Sequence, residues 1–539
     1  MAWMGRLHLF LTWLAALLML QGCTKLGPDF HGITPPPVSK SLQNDRNVSE
    51  AELADWWRIY HDETLDRLVD KALSQSLDLQ IAGLRILQAR ATLGIATGLR
   101  YPQAQTLSGN AMSSYHKYHI DSASLSFDLA WEADLWGKYA RGIESARASL
   151  MAQVASYRAA AVSLLAEVAR NYIDYRTTEE RIAYAERNVA IQERVTRMTE
   201  VQYKAGNVSE LDMQQSRTQL YNTRASLPAL RLAEIRIVNA LAVLLGTTPE
   251  EVRTILKPHD KRLLRQINAA IATNSRGIIQ LTQKQKNLLA LRYIPQPQFD
   301  PERIVDASLL TRRPDIRAAE YLAHAKAAQI GIAEAALYPS FRLLGSIGYS
   351  ASDPNPVLPF LTGWGSLHDN ITVAAGPGFS WNIFQYGRLK NDVRLKDAAF
   401  EESLVRYSKQ VLAAATEVSN ALNAYRLTQA QLQERKKALK ATVRAFNISV
   451  TQYHDGLVSY QRLLSTVEKL TLAQDAYART KGELAVDAAL LYKALGGGWQ
   501  ATDGRSFLSQ KSRERMRQRG VDWEHGLDEN ATRIPEGWE

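Results

Sequence analysis

The sequence predicts a mostly α-helical fold with a small membrane β-barrel, built as a homotrimer from two tandem structural repeats per chain. Three observations predict it. The first is a seam stepped by four and three residues from Val411 through Val418, Leu422, Tyr425, Leu439, Phe446 and Val450 to Tyr453. It is broken only by Gln429 and Lys436. A mean spacing of 3.5 residues is the signature of a left-handed coiled coil. No proline lies between Pro377 and Pro535, and no glycine between Gly387 and Gly456. At ~1.5 Å per residue such a helix reaches on the order of 100 Å, too long for the inside of a compact domain.

The second observation is that the stretch occurs twice. Adding 250 carries Gly137 to Gly387, Tyr203 to Tyr453, Gly206 to Gly456, Val208-Ser209 to Val458-Ser459 and Leu245-Gly246 to Leu495-Gly496. Shared landmarks at one offset mark a tandem duplication. The third is a short alternation. Leu125, Phe127, Leu129 and Trp131 interleave with Ser124, Ser126, Asp128 and Ala130, the period of a strand with one apolar face. Apolar side chains on the outside of a hairpin suit a transmembrane β-barrel.

From the N-terminus, residues 1–22 read as a signal peptide. Arg6 precedes an apolar run, Leu7 to Leu20, too short for a membrane span, and Leu20-Gln21-Gly22-Cys23 resembles a lipoprotein cleavage box. Cys23 is the only cysteine and cannot form an internal disulfide. Lipidation explains its place, and Thr24 gives no inner-membrane retention signal. Residues 23–62 form a lipid-anchored, Pro-rich tether. Repeat 1 spans 63–246: a helix from Glu63 to Leu99, a β-hairpin over 103–132, and a long helix pair over 138–245 in which Pro228 is expected to cause a kink. Residues 247–311 form a bridge. Repeat 2 spans 312–496, with a hairpin over 340–381 and a helix pair over 386–495. The charged tail, 497–539, is expected to lie on the surface or be disordered.

Four strands per chain cannot close a barrel, and open edges in lipid leave backbone groups unsatisfied. Three chains would supply twelve strands and a closed wall, continuous with a ring of long helices of pseudo-sixfold symmetry.

Composition adds limits. The net charge of +10 could point to nucleic acid, but no recognition module accompanies it, and the leader argues for export. His116 and His119 sit in a hairpin where residues three apart point to opposite faces, so no metal site is expected. Asp62-Glu63 reads as a helix cap with a first-turn acid. Glu179, Glu186, Glu193 and Glu200, each seven apart, form one acidic line, read as a solvated face helped by Arg197 and Lys204. No catalytic constellation or cofactor motif is present, so no enzyme and no cofactor are expected.

The chain resembles the TolC-type outer-membrane efflux proteins, in particular their OprM-like lipoprotein branch. The resemblance rests on Cys23-Thr24 with Leu26-Gly27-Pro28-Asp29-Phe30, Asp55-Trp56-Trp57, Asp134-Leu135-Trp136-Gly137-Lys138, Leu227-Pro228-Ala229-Leu230 and Arg312-Arg313-Pro314-Asp315. It covers about Cys23 to Gly496. It implies a trimeric exit duct in the outer membrane, docking through a periplasmic adaptor protein onto an inner-membrane pump. The periplasmic tips that meet the adaptor map to Gly206, Val208 and Ser209, and to Gly456, Val458 and Ser459. Of the residues that would line the gate, Asp212 is kept. Gln461, Arg462 and Ser465 depart from the family's pattern, Ser465 standing where an aspartate is usual, so the gate is lined differently. The residues themselves leave three roles open: a duct for small molecules with a proton-driven pump, a duct for ATP-driven protein or peptide export, and a lipid-anchored coiled-coil scaffold.

Overall fold

The computed structural model describes residues 24–37, 53–115, 119–256, 294–301, 308–353 and 371–534. The leader, Cys23, His116 and most of the bridge, 257–293, lie outside the described residues. The elements run α1 (Glu63–Gln75), α2 (Leu77–Gly98), β1 (Ala104–Tyr115), β2 (His119–Ala133), α3 (Lys138–Lys204), α4 (Glu210–Leu245), α5 (Pro249–Leu256), α6 (Pro314–Ala335), β3 (Ser340–Asp353), β4 (Ile371–Ser380), α7 (Arg388–His454), α8 (Tyr460–Ala494) and α9 (Gln510–Arg517). The fold is mostly α with one small antiparallel sheet. Helices α3 and α7 each run 67 residues. The chain divides into two compact units.

The first unit comprises residues 1–35, 85–154 and 317–409. It holds the sheet, in the order β1-β2-β3-β4, antiparallel throughout. The register sorts the side chains onto two faces, because residues directly opposite share a face. Leu107 pairs with Phe127, Phe127 with Ile347, and Ile347 with Val373. Trp131 pairs with Leu343 and Phe341 with Phe379, so one face is apolar across all four strands. The other face pairs Ser108 with Ser126, Asp128 with Ser346, and Ser346 with Ala374. On the apolar face Leu107, Val373 and Phe379 are 70–73% exposed, a large uncovered patch for a water-soluble surface.

Aromatic side chains collect at the helix end of the sheet, and two make equivalent bonds. Trp131 Nε1 donates to the Arg100 carbonyl (3.3 Å), and Trp381 Nε1 to the Leu337 carbonyl (2.9 Å). Trp131 and Trp381 stand 250 apart and the two acceptors 237 apart, so the duplication is visible in bonds. The difference lies in the longer second hairpin.

The segment after Cys23 docks against this same end. Leu26 N–H donates to the Trp136 carbonyl (3.2 Å). Arg141, fully buried, donates to the carbonyls of Leu26 (2.8 Å) and Gly27 (2.7 Å) and pairs with Asp29 and Glu144, both at 3.0 Å. Gly27 has φ +82°, and a Cβ there would sit 2.5 Å from the Gly331 Cα, so only glycine fits. Lys25 pairs with Glu144 at 2.5 Å, and Phe30 stacks on His324 at 4.7 Å. Residues 25–30 are therefore a docked strap, not the free tether expected of this stretch. Burial alone would raise the Glu144 pKa, but hydrogen bonds from Lys25, His324 and Arg141 outweigh it and bring it to about 2. A depressed carboxylate contributes stability above its ordinary value of 4.5, lost as pH falls towards 2. The strap is expected to stay docked at pH 6 and to loosen between pH 4.5 and 2, with protease cleavage within residues 24–37 as the readout.

The second unit comprises residues 36–84, 155–316 and 410–539. Asp62 caps α1, accepting from the Thr64 (2.8 Å) and Leu65 (3.3 Å) amides. The single helix expected over Glu63–Leu99 is broken at Ser76 (φ −53°, ψ 129°). Gly246 packs on the Gln75 carbonyl at the break, where a Cβ would lie 2.6 Å away. Helix α4 continues through Pro228. The seam of α7 is buried at Val411, Val418, Leu422 and Tyr425 and again at Phe446, Val450 and Tyr453. Between them Gln429 and Lys436 are exposed, and Leu432 and Leu439 only half-buried. The tail also differs from expectation. Residues 499–534 are ordered, with Phe507, Leu508, Leu527 and Ile534 buried. Phe507 lies on Gly83, whose Cβ would meet the Phe507 carbonyl at 2.4 Å, and Arg158 stacks over Trp499 (4.2 Å) while pairing with Asp503 (3.2 Å). Charged composition hid these spaced apolar anchors.

Candidate functional site

The candidate site is the pair of helical-hairpin tips in the second unit. Both turns close alike. Asn207 N–H donates to the Gln202 carbonyl (2.9 Å), and Leu457 N–H to the Gln452 carbonyl (2.8 Å), with Gly206 (φ +75°) and Gly456 (φ +70°) in the left-handed region. This helix-terminating arrangement requires that conformation, which glycine adopts without penalty. Ser209 and Ser459 then start the return helices as N-caps. Val208 is half-buried, and Val458 packs against the tip core.

The two tips then diverge. Asp212 completes a capping box: its amide donates to Ser209 Oγ (3.2 Å), and its carboxylate accepts from the Ser209 amide (3.1 Å). Arg462 holds the equivalent position in repeat 2, where a cation can offer no such acceptance, and Ser459 makes no side-chain cap. Ser209→Ala is expected to cost about 1 kcal/mol of local stability and Ser459→Ala close to nothing. Amide exchange over residues 210–213 and 460–463 compares the two.

Behind the turns, one apolar core joins both repeats. Ile191 and Val195 of α3 pack with Phe446, Val450 and Tyr453 of α7 and with Tyr460, Leu463 and Val467 of α8. Helix α4 joins through Ser216 Oγ, 2.9 Å from Thr196 Oγ1. Tyr453 donates to the fully buried Thr199 (3.3 Å). Burial raises the Tyr460 pKa to about 12, so the phenol stays neutral in this core.

The acidic line is neither a free stripe nor merely solvated. Glu200 pairs with Arg217 (2.9 Å), Glu193 with Arg224 (2.6 Å) and Glu186 with Arg231 (3.2 Å). Its partners lie across the hairpin, not at Arg197 and Lys204 four residues along. The signal was present as the matching seven-residue spacing of Arg217, Arg224 and Arg231 on α4. Glu179 instead pairs with Arg176 (2.8 Å). In repeat 2 the zipper is gone: Val443, Val450 and Val467 replace Glu193, Glu200 and Arg217 and serve the apolar core.

Gln461, Arg462 and Ser465 lie together with Ser459 along an open groove of about 740 Å³ between α7 and α8. Ala445 and Ile448 form its other wall, and Lys469 its far end. Asp212 is not on this groove. Among the described residues no group of three His, Cys, Asp or Glu could hold a metal ion, and no helix is long and apolar enough to cross a membrane.

Two stretches, residues 68–247 and 307–497, match the family described as Outer membrane efflux protein. The chain belongs to that family. Each matched stretch contains one β-hairpin and one long helix pair. The chain is 26% identical over 515 residues to the pyoverdine export outer membrane protein OpmQ of Pseudomonas aeruginosa, covering 93% of this chain and 99% of that one. It is 28% identical over 506 residues to the toluene efflux pump outer membrane protein TtgI of Pseudomonas putida, covering 90% and 98%. The solved outer-membrane channel OprN superposes with a TM-score of 0.71 at 28% identity, covering 88% of this chain and 99% of that one. This efflux protein is an outer-membrane channel component of an efflux-type transport system, not an enzyme.

Proposed function

We propose that the chain is a lipid-anchored, OprM-like exit duct of a tripartite pump for small molecules. Three copies close a twelve-stranded barrel in the outer membrane, continued by a helical barrel in the periplasm. A periplasmic adaptor engages the tips at Gly206, Val208, Ser209, Gly456, Val458 and Ser459, and a proton-driven inner-membrane pump supplies the energy. Asp212, Gln461, Arg462 and Ser465 line the gate.

One observation carries this reading. The sheet has a continuous apolar face, while β1 and β4 are its two edges. A sheet in lipid tolerates no edge, so β1 of one copy must meet β4 of the next. The half-open stretch of the α7 seam supports the same assembly, since a further helix would complete it. Trp131 and Trp381 at one end of the sheet suit a membrane interface. The strap supports the anchor at Cys23, because Lys25 is held at that same end. Pyoverdine and toluene, named for the two relatives, favour small cargo over protein export.

Purified protein is expected to run as a heat-resistant trimer and to conduct ions in planar bilayers. A monomer without conductance overturns the duct in favour of a scaffold. Labelling with radioactive palmitate tests the anchor: Cys23→Ser is expected to abolish incorporation, and persistent label removes the assignment.

A further inference from the structure

We propose that the ordered C-terminal tail is a cell-wall contact, presenting a short row of cations to the carboxylate-bearing peptide stems of peptidoglycan. This rests on the duct reading above, which puts the helices of the second unit in the periplasm, and it names a further partner there. The family match ends at residue 497, and the tail follows it. The tail is fastened down along one side. Arg505 pairs with Asp70 of α1 (3.1 Å), and Ser509 Oγ (2.9 Å) and Ser512 Oγ (3.2 Å) both donate to Gln80 Oε1 of α2. Phe507 packs on Gly83 and Tyr157, and Ser512 and Met516 of α9 are buried. The other side carries the row. Lys511 and Arg515 stand one turn apart on α9, and Arg519 follows just past its end, where its amide still bonds to the Met516 carbonyl (3.3 Å). All three are exposed, and four-residue steps keep them on one face over ~12 Å. None forms an ion pair among the described residues, and Arg515 reaches only Ser512 Oγ (3.2 Å).

The tail's own acids do not answer this row. Asp503 pairs with Arg158, Asp528 with Arg517 and Glu529 with Arg533, while Glu514 accepts from Gln510 (2.9 Å). From Arg505 to Arg519 the tail carries six cations and one acid, so the positive field is local. Met516 is turned inward, so the row offers charge without an apolar groove. Such a surface suits a hydrated polyanion rather than a protein helix, which needs an apolar seat. Helices α3 and α7, each of 67 residues, reach ~100 Å. A duct running that far from the outer membrane passes the cell-wall layer, whose peptide stems are the fixed polyanion in reach. Anionic lipid headgroups have the same sign, but the apolar sheet belongs to the first unit and the tail to the second.

The test is co-sedimentation of the purified full chain, in detergent, with isolated peptidoglycan sacculi at about 0.05 and about 0.3 M salt. The protein is expected to sediment with sacculi, and less at the higher salt. Lys511→Glu/Arg515→Glu/Arg519→Glu should weaken binding about tenfold, and Lys511→Arg/Arg515→Lys/Arg519→Lys should keep it. Arg67→Glu/Arg236→Glu/Arg253→Glu makes the same change in net charge at exposed arginines of the same unit, none of them ion-paired among the described residues, and should bind like the unaltered protein. Failure of the unaltered protein to sediment overturns the proposal. So does equal loss in the two triple reversals, which would make the attraction diffuse. Flotation with phosphatidylglycerol vesicles that needs Lys511, Arg515 and Arg519, without binding to sacculi, also overturns it and assigns the row to a membrane surface. The heat-resistant trimer band and ion conductance are read on the same preparations. Their persistence keeps the duct reading whatever the sacculi show. Monomers without conductance sink that reading, and sedimentation still decides the role of the tail.

Discussion

Phe127→Arg is expected to abolish outer-membrane assembly, whereas Ser126→Arg, one residue away, leaves assembled protein near normal. The register puts Phe127 between Leu107 and Ile347 on the apolar face and Ser126 beside Ser108 on the polar one. An arginine facing lipid near the bilayer midplane costs about 2–4 kcal/mol, against little on a water-filled inner face. In the proposed trimer the penalty applies three times. Membrane fractionation and the heat-resistant trimer band read the outcome. Equal tolerance of both substitutions would mean that the apolar face does not meet lipid.

Arg141→Met is the second large effect. The guanidinium is fully buried and satisfies two carbonyls and two carboxylates around the strap. Removing one member of a buried charge network leaves its partners unsatisfied, at a cost of about 3–5 kcal/mol. Glu144 keeps Lys25 and His324 nearby and Asp29 is mostly exposed to water, so the loss falls chiefly on the carbonyls of Leu26 and Gly27. The strap is expected to undock, exposing residues 24–37 to protease while α3 and α7 remain protected. Glu144→Gln, which removes the charge and keeps the shape, should undock it less completely. An intact strap in Arg141→Met would show that Gly27 against Gly331 and Phe30 on His324 suffice to hold it.

Much of this protein was legible in its sequence because its elements are long and locally coded. The four-three spacing along α7, the alternation around Phe127 and the glycines at 206 and 456 each specify their conformation within a few residues. Duplication made every such signal appear twice. The serine caps are just as locally coded, Asp212 completing a capping box where Arg462 does not, though these residues were read only as tip and gate.

What the sequence left open depends on partners distant along the chain. The zipper of Glu186, Glu193 and Glu200 was visible as half a pattern, since its arginines lie on the returning helix. The strap looked like a free tether because Arg141 and Gly331, which hold it, are more than a hundred residues away. The charged tail concealed Phe507, whose pocket is made by Gly83 and Tyr157. Sequence alone determined the repeated helices, the hairpins and the turns, because backbone propensity and side-chain periodicity act locally. Only the tertiary structure decided which charges are neutralised, which cations remain free on the tail, and how the segment after Cys23 is held. Those outcomes depend on which side chains are brought within a few ångströms of each other.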